Sequence, residues 1–146
     1  MTTFADDAPD VLDFLKDLIV EFGATTDIAG ITVRRGRLAA ADDPMTAPVI
    51  LLEEAGSLEA TTYRVYLPFR VEITVLAQTE GEASRLLRAL MRILTGLTNV
   101  IRSGVALGCV LDETGPQPRQ DADTDWPGRS TIAGLYMPSV LLSEAS

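Results

Sequence analysis

From Val65 to Ala77 the chain alternates with a period of two. Val65, Leu67, Phe69, Val71, Ile73, Val75 and Ala77 stand against Arg64, Tyr66, Pro68, Arg70, Glu72, Thr74, Leu76 and Gln78. Alternation this long predicts a strand with one face on the core and the other mostly polar. Pro68 has no N–H for a ladder, so it marks an edge, a bulge or a bend where the strand changes partner. The period then becomes helical. Thr79-Glu80-Gly81-Glu82 matches a capping box, and Ala83, Leu86, Leu87, Leu90, Leu94 and Leu97 form an apolar stripe, supplemented by Met91 and Ile93. Gly96 and Thr98-Asn99 end this helix. So much leucine on one face requires a sheet beneath it.

An earlier helix is predicted from Val11 to Phe22. Asp7 and Pro9 suit its first turn, and Gly23 ends it. Val11, Leu12, Leu15, Leu18, Ile19 and Phe22 form its buried stripe, with Asp13, Lys16, Asp17 and Glu21 elsewhere on the wheel. Short strands are expected at 31–37 and 48–54, with an aperiodic loop from Leu38 to Pro48 between them. A further strand spans 105–111, a polar loop spans 112–129, and a last strand, broken or bulged near Gly134 and Pro138, spans 130–143. The expected fold is a single α+β domain over residues 1–146. Two main helices pack on a mostly antiparallel, twisted sheet of about four to five strands.

Composition narrows the chemistry. The 146 residues are 47% hydrophobic and 23% charged, a globular balance. Histidine is absent and cysteine occurs once, at Cys109. That excludes His-based triads, disulfide frameworks and most zinc sites, and no enzymatic activity, metal or cofactor is expected. Cys109, inside an apolar run, is expected to be a small buried hydrophobe in a reducing compartment. With 12 basic and 21 acidic residues the net charge is −9. Bulk electrostatic binding to a phosphate backbone needs the opposite sign. The first residues lack the pattern of a signal peptide, and no apolar run reaches membrane-spanning length, so the expected site of synthesis is the cytoplasm, with no membrane partner.

Several polar groups are candidates for contact rather than catalysis. Arg85, Arg88 and Arg92 fall on one stripe of the second helix, either solvated or facing an acidic neighbouring subunit, with nucleic acid a weaker third option because few aromatics stand nearby to stack on bases. Arg34, Arg35 and Arg37 form a basic knot beside the 38–48 loop, explained by a solvated turn or by contact with a partner or passing DNA. Trp126-Pro127-Gly128-Arg129 sits in an acidic, proline-rich loop, where Trp126 either tucks onto the sheet or anchors a partner. Arg70 and Glu72, on the polar face of the long strand, face water or line a subunit joint or channel. Asp121, Asp123 and Asp125 resemble the start of a calcium loop. Its required glycine and glutamate are replaced by Trp126 and Ile132, which leaves a solvated acidic loop. No carboxylate pair is singled out by spacing, and no glycine-rich phosphate loop is present.

Taken along its length, the chain resembles the tail terminator (tail completion) proteins of long-tailed double-stranded DNA bacteriophages. The features that carry the likeness are the amphipathic helix Val11–Phe22 and short strands after it, the long strand from Tyr63 to Val75, and the capped helix opening Thr79-Glu80-Gly81-Glu82-Ala83. The Gly115-Pro116 turn, the Pro/Asp-rich loop and the strand Arg129-Ser130-Thr131-Ile132-Ala133-Gly134-Leu135 complete it. The resemblance implies a structural ring, usually of six copies, on the head-proximal end of the tail tube in the virion. Such a ring stops tube growth and joins the tail to a head–tail connector or neck protein.

Its implied partners are further copies of the chain, the tail tube protein and the connector, with DNA only as passing cargo. Unpaired strand edges and the arginine stripe are the expected contact surfaces, with Arg70, Glu72, Trp126 and Arg129 as further candidates. Six copies at −9 each would carry −54. Acids such as Asp121, Asp123 and Asp125 on a lumen wall would let DNA pass without sticking. A neck or connector protein is the nearest alternative, and a small-molecule or regulatory binding module is the alternative from another class.

Overall fold

The computed structural model describes residues 11–57, 66–102, 104–120 and 126–138. Two helices, α1 (Val11–Gly23) and α2 (Glu80–Thr95), lie on one face of a mixed sheet. Its strands are β1 (Thr32–Arg35), β2 (Val49–Ser57), β3 (Tyr66–Leu76), β4 (Thr98–Arg102), β5 (Val105–Asp112), β6 (Gln117–Gln120) and β7 (Pro127–Pro138). The sheet order is β1-β2-β3-β7-β5-β4, with β6 also on β7. Only the β1–β2 pair is parallel. The α+β class therefore holds, with seven strands among the described residues rather than four or five.

The alternating strand becomes the centre of the sheet. β3 pairs with β7 in one unbroken antiparallel register from Tyr66↔Pro138 to Leu76↔Gly128. Its other neighbour, β2, is in register from Val49↔Leu76 to Glu54↔Val71, then shifts before Ser57↔Phe69. Among the described residues Tyr66, Leu67 and Pro68 thus pair only with β7. Pro68 stands where the second partner runs out, as its missing N–H requires.

The odd positions of β3 build the core. Val71, Ile73 and Val75 are buried with Ile50 and Leu52 of β2, Leu107 and Val110 of β5, and Ala133, Leu135 and Met137 of β7. Over them lie Leu12, Leu15, Leu18 and Ile19 from α1, and Leu86, Leu87, Leu90 and Leu94 from α2. Thr79 caps α2 in extended conformation, its hydroxyl accepting from the Glu82 amide at 3.1 Å. The Gly96 and Leu97 amides close the other end on the Ile93 and Leu94 carbonyls.

Three expectations are corrected. The segment after α2 is a strand: Asn99 adopts a left-handed φ of 53°, which turns the chain so that Val100 packs against the core and Ile101 faces out. The 112–129 stretch is not wholly a loop, because β6 resumes pairing with β7 where β5 stops. Four residues, 113–116, span the gap opposite only Thr131 and Ile132, and Gly115 (φ 71°) makes the step. Asp112 clamps this outward bulge by accepting from the Gly115 amide at 3.0 Å and from the Thr131 hydroxyl. Finally, Gly134 neither breaks nor bulges β7, which starts at Pro127, within the expected loop. The predicted strand beyond Pro138 and the Asp7-Pro9 helix start lie outside the described residues.

Candidate assembly interface

The leucines of α2 point to the sheet, so its arginines point away from it. Arg85, Arg88 and Arg92 are all exposed on the helix's outer side, as their spacing requires. Arg85 Nη1 lies 3.6 Å from Asp27 Oδ2, with the side chains 57% and 71% exposed, a solvated pair of little energetic weight. Arg88 and Arg92 have no hydrogen-bond or ion-pair partner among the described residues. On so acidic a chain, two adjacent unpaired cations are conspicuous.

Arg129 belongs elsewhere. It is half-buried at the start of β7, and its Nη2 is 2.7 Å from Glu80 Oε1 on the first residue of α2. The pair ties helix to sheet, and Glu80 also lies where the helix dipole favours a carboxylate. Trp126, just before β7, is half-buried, between full tucking and full display. Asp121, Asp123 and Asp125 lie outside the described residues.

On the sheet face opposite the helices, the even positions of β3 meet β2 and β7. Arg70 stands across from Gly134, and because Gly134 has no side chain the Glu113 carboxylate lies directly over it. A side chain at position 134 would collide with the Glu113 carboxylate. Arg70 Nε is 3.0 Å from Glu113 Oε1, and the Tyr136 hydroxyl reaches Glu113 Oε2 at 3.5 Å. One row along, Glu72 of β3 is directly opposite Glu53 of β2, both half-buried. Like charges facing each other across a ladder are destabilising.

At the far corner of the same face, Val49, Leu51 and Leu76 are buried, and Leu38 from the 36–48 loop packs on them. The basic knot secures that loop. Arg34 donates from Nε and Nη2 to both carboxylate oxygens of Asp42 at 3.0 Å each, and Asp42 also accepts from the Ala39 amide at 2.7 Å. The Arg34 hydrogen bonds first, then the Ala39 amide, hold the Asp42 carboxyl below its ordinary pKa. Arg35 pairs with Asp13 of α1 at 3.2 Å, so two of the three knot arginines are internal clips.

The sheet edges carry little that would recruit another strand. β1 is four residues long with Arg34 and Arg35 in it, and β4 is five residues long, bent at Asn99 and ended by Arg102. Short, charged edges resist strand addition. Arg102 turns back to α1, donating to both oxygens of Glu21 at 2.7–3.1 Å and lying 5.4 Å from the Phe22 ring centroid. That hydrogen bonding holds the Glu21 carboxyl below its ordinary pKa. Cys109 is corrected from buried to half-buried. It lies opposite Tyr136 on the outward face, while Val110 beside it takes the core position.

Sequence reasoning brought Arg70, Glu72 and the α2 arginines to notice but missed Glu53, Glu113, Gly134, Tyr136 and Asp42. Each acquires its role from a residue distant in the chain. Among the described residues no helix is long and apolar enough to cross a membrane.

No protein-family model and no curated protein matches the chain. Among solved structures, the chain is similar to one from the virion of a native gene transfer agent (GTA) particle. The TM-score is 0.54 at 12% identity, over 91% of this chain and 88% of that one. What the two chains share is the fold, across nearly their whole lengths.

Proposed function

We propose that this chain is a structural virion protein, a tail terminator of a long-tailed particle. Copies form a ring, expected to be of six, that caps the head-proximal end of the tail tube, stops its polymerisation and joins the tail to the head or neck. The observation that carries this reading is the fold shared with a chain of a virion particle over nine-tenths of this sequence. The composition agrees with it: a chain without histidine whose exposed charges are set for contact is suited to a geometric task. No catalytic step and no cofactor belong to it.

A closed ring of identical subunits needs a head-to-tail interface between two different surfaces of each copy. Termination is then an asymmetry of the ring's two ends, one complementary to the last tube ring and the other not complementary to a further tube subunit. DNA passes through the lumen as cargo without sequence readout.

Mass photometry and negative-stain imaging of the purified protein, alone and with tube protein, test this directly. Rings that seat on tube ends and limit tube length are expected. A chain that stays monomeric in both conditions and leaves tube length unregulated would sink the proposal. Particles assembled without the protein separate the roles. Overlong tails mark a terminator, whereas normal tails that fail to join filled heads mark a connector and overturn the tube-capping role.

A further inference from the structure

The outer face of the sheet holds a second, separate patch of buried apolar side chains. Val49 and Leu76 stand opposite each other across the β2–β3 ladder, and Leu51 lies next to them on the same face. None of the three belongs to the core beneath the helices, and Leu38 of the 36–48 loop is the half-buried side chain packed on them. From Leu38 to Ala47 that loop is tied mostly to itself. The Asp42 amide donates to the Ala39 carbonyl at 2.9 Å, and the Ala39 amide donates back to Asp42 Oδ2 at 2.7 Å. Asp43 closes the next turn, accepting from the Met45 amide and the Thr46 hydroxyl on its carboxylate and from the Thr46 and Ala47 amides on its carbonyl. Among the described residues, the one polar tie of this stretch to the rest of the domain is the Arg34–Asp42 pair. Apart from Leu38, Asp42 and Pro44, every residue from 38 to 47 is exposed. At the root, Gly36 takes a φ of 79°, a conformation that favours a residue without a side chain, and there the chain leaves β1. β1 itself is held independently, by its pairing with β2 and by Arg35 on Asp13.

We infer that residues 37–47 form a strap that lifts from the sheet as one unit while the rest of the domain stays folded, held down by the Arg34–Asp42 pair and by the seating of Leu38. Lifting breaks one ion pair and one apolar contact, keeps both internal turns, and removes no side chain from the core beneath the helices. A segment with so few ties to its domain lies at the low-stability end of a fold, where local opening precedes global unfolding. When the strap lifts, Val49, Leu51 and Leu76 are bared beside a freed Arg34 guanidinium. The strap therefore sets whether this corner of the outer sheet face is covered. The inference stands apart from the ring reading and holds for a single copy.

Trypsin supplies the test, because Arg37 is exposed and the next residue, Leu38, is seated on the sheet. The Arg37–Leu38 bond cannot extend into a protease until the strap lifts, so its cleavage rate in the full chain, followed by mass spectrometry at low protease, reports the population of the lifted form. Each rate is divided by that of the matching 31–48 peptide, which removes any effect of sequence on the protease itself. For wild type the rate is expected to stay flat in urea below the unfolding transition, since lifting exposes little surface. Asp42→Asn and Leu38→Ala should each raise it about fivefold or more. Leu90→Ala, which weakens the core far from the strap, should leave it unchanged while lowering the urea midpoint, and Thr79→Ala takes its place if the Leu90 variant does not fold. Cleavage that climbs with urea in parallel with unfolding, and that Leu90→Ala or Thr79→Ala speeds, would show that the bond opens only with the whole domain and would overturn the strap. If Asp42→Asn or Leu38→Ala leaves the rate unmoved, that contact does not hold the segment down and the device as described here is overturned.

Discussion

β3 and β7 have two faces that differ in almost every respect. Toward the helices, Val71, Ile73, Val75, Ala133 and Leu135 are sealed under two leucine-rich helices. Away from them, the same strands present Arg70, Glu72, Ile132 and Tyr136, half-buried, with Glu113 laid across Gly134. The first face is held by apolar burial, which is non-directional and scales with the area removed from water. The second is held by paired and opposed charges whose weight depends on what else comes near. The contrast separates the two layers: one is sealed by apolar packing, and the other is ordered by specific polar contacts.

Changes on the sealed side should cost most. Leu90→Ala removes a fully buried α2 side chain above the sheet and should lower unfolding free energy by about 3 kcal/mol, read by urea denaturation. Thr79→Ala deletes the α2 cap and should cost about 1 kcal/mol in the same assay. On the open side the effects should be smaller. Gly134→Ala puts a methyl where the Glu113 carboxylate lies, so Glu113 swings off Arg70 at a cost of about 0.5–1 kcal/mol. The Gly134→Ala change together with Glu113→Ala should then be less than additive.

Asp42→Asn probes the loop clip through its pH dependence. The folded Asp42 pKa lies below its ordinary value, so its contribution is present above the ordinary carboxylate range and lost as pH falls through the folded value. The stability difference between wild type and Asp42→Asn should therefore be full near neutrality and vanish in strong acid, measured by thermal melts across pH. Smallest of all, Arg88→Ala and Arg92→Ala should change the stability of the isolated subunit by less than about 0.5 kcal/mol while weakening its assembly. A large loss of subunit stability would show that these arginines belong to the fold and not to a joint.

The legible parts of the sequence were those whose periodicity is local. The Val65–Ala77 alternation, the Thr79 cap and the leucine stripes placed β3, α1 and α2 within a residue or two of their observed ends. β4 was hidden because Thr98-Asn99 reads as a helix stop, and the same Asn99 then takes a left-handed φ and starts a strand. β6 was hidden inside Pro/Asp-rich sequence, since Gln117-Pro118-Arg119-Gln120 has no apolar face and gains its ladder only from β7. The basic knot was open to a solvated turn or to contact with a partner or DNA, and Arg34 and Arg35 instead pair with Asp42 and Asp13, eight and 22 residues away.

The sequence alone determined which residues must be buried and which elements could bury them, because amphipathic period is written in neighbouring positions and water enforces it wherever the chain goes. It also determined the absence of histidine chemistry and the acidic balance. Only the tertiary structure decided which charges are spent within the domain and which remain. Arg129 finds Glu80, Arg70 finds Glu113 and Arg102 finds Glu21 across long stretches of chain, whereas Arg88 and Arg92 find none among the described residues. An ion pair depends on two positions in space, and strand order, not spacing along the chain, brings those positions together.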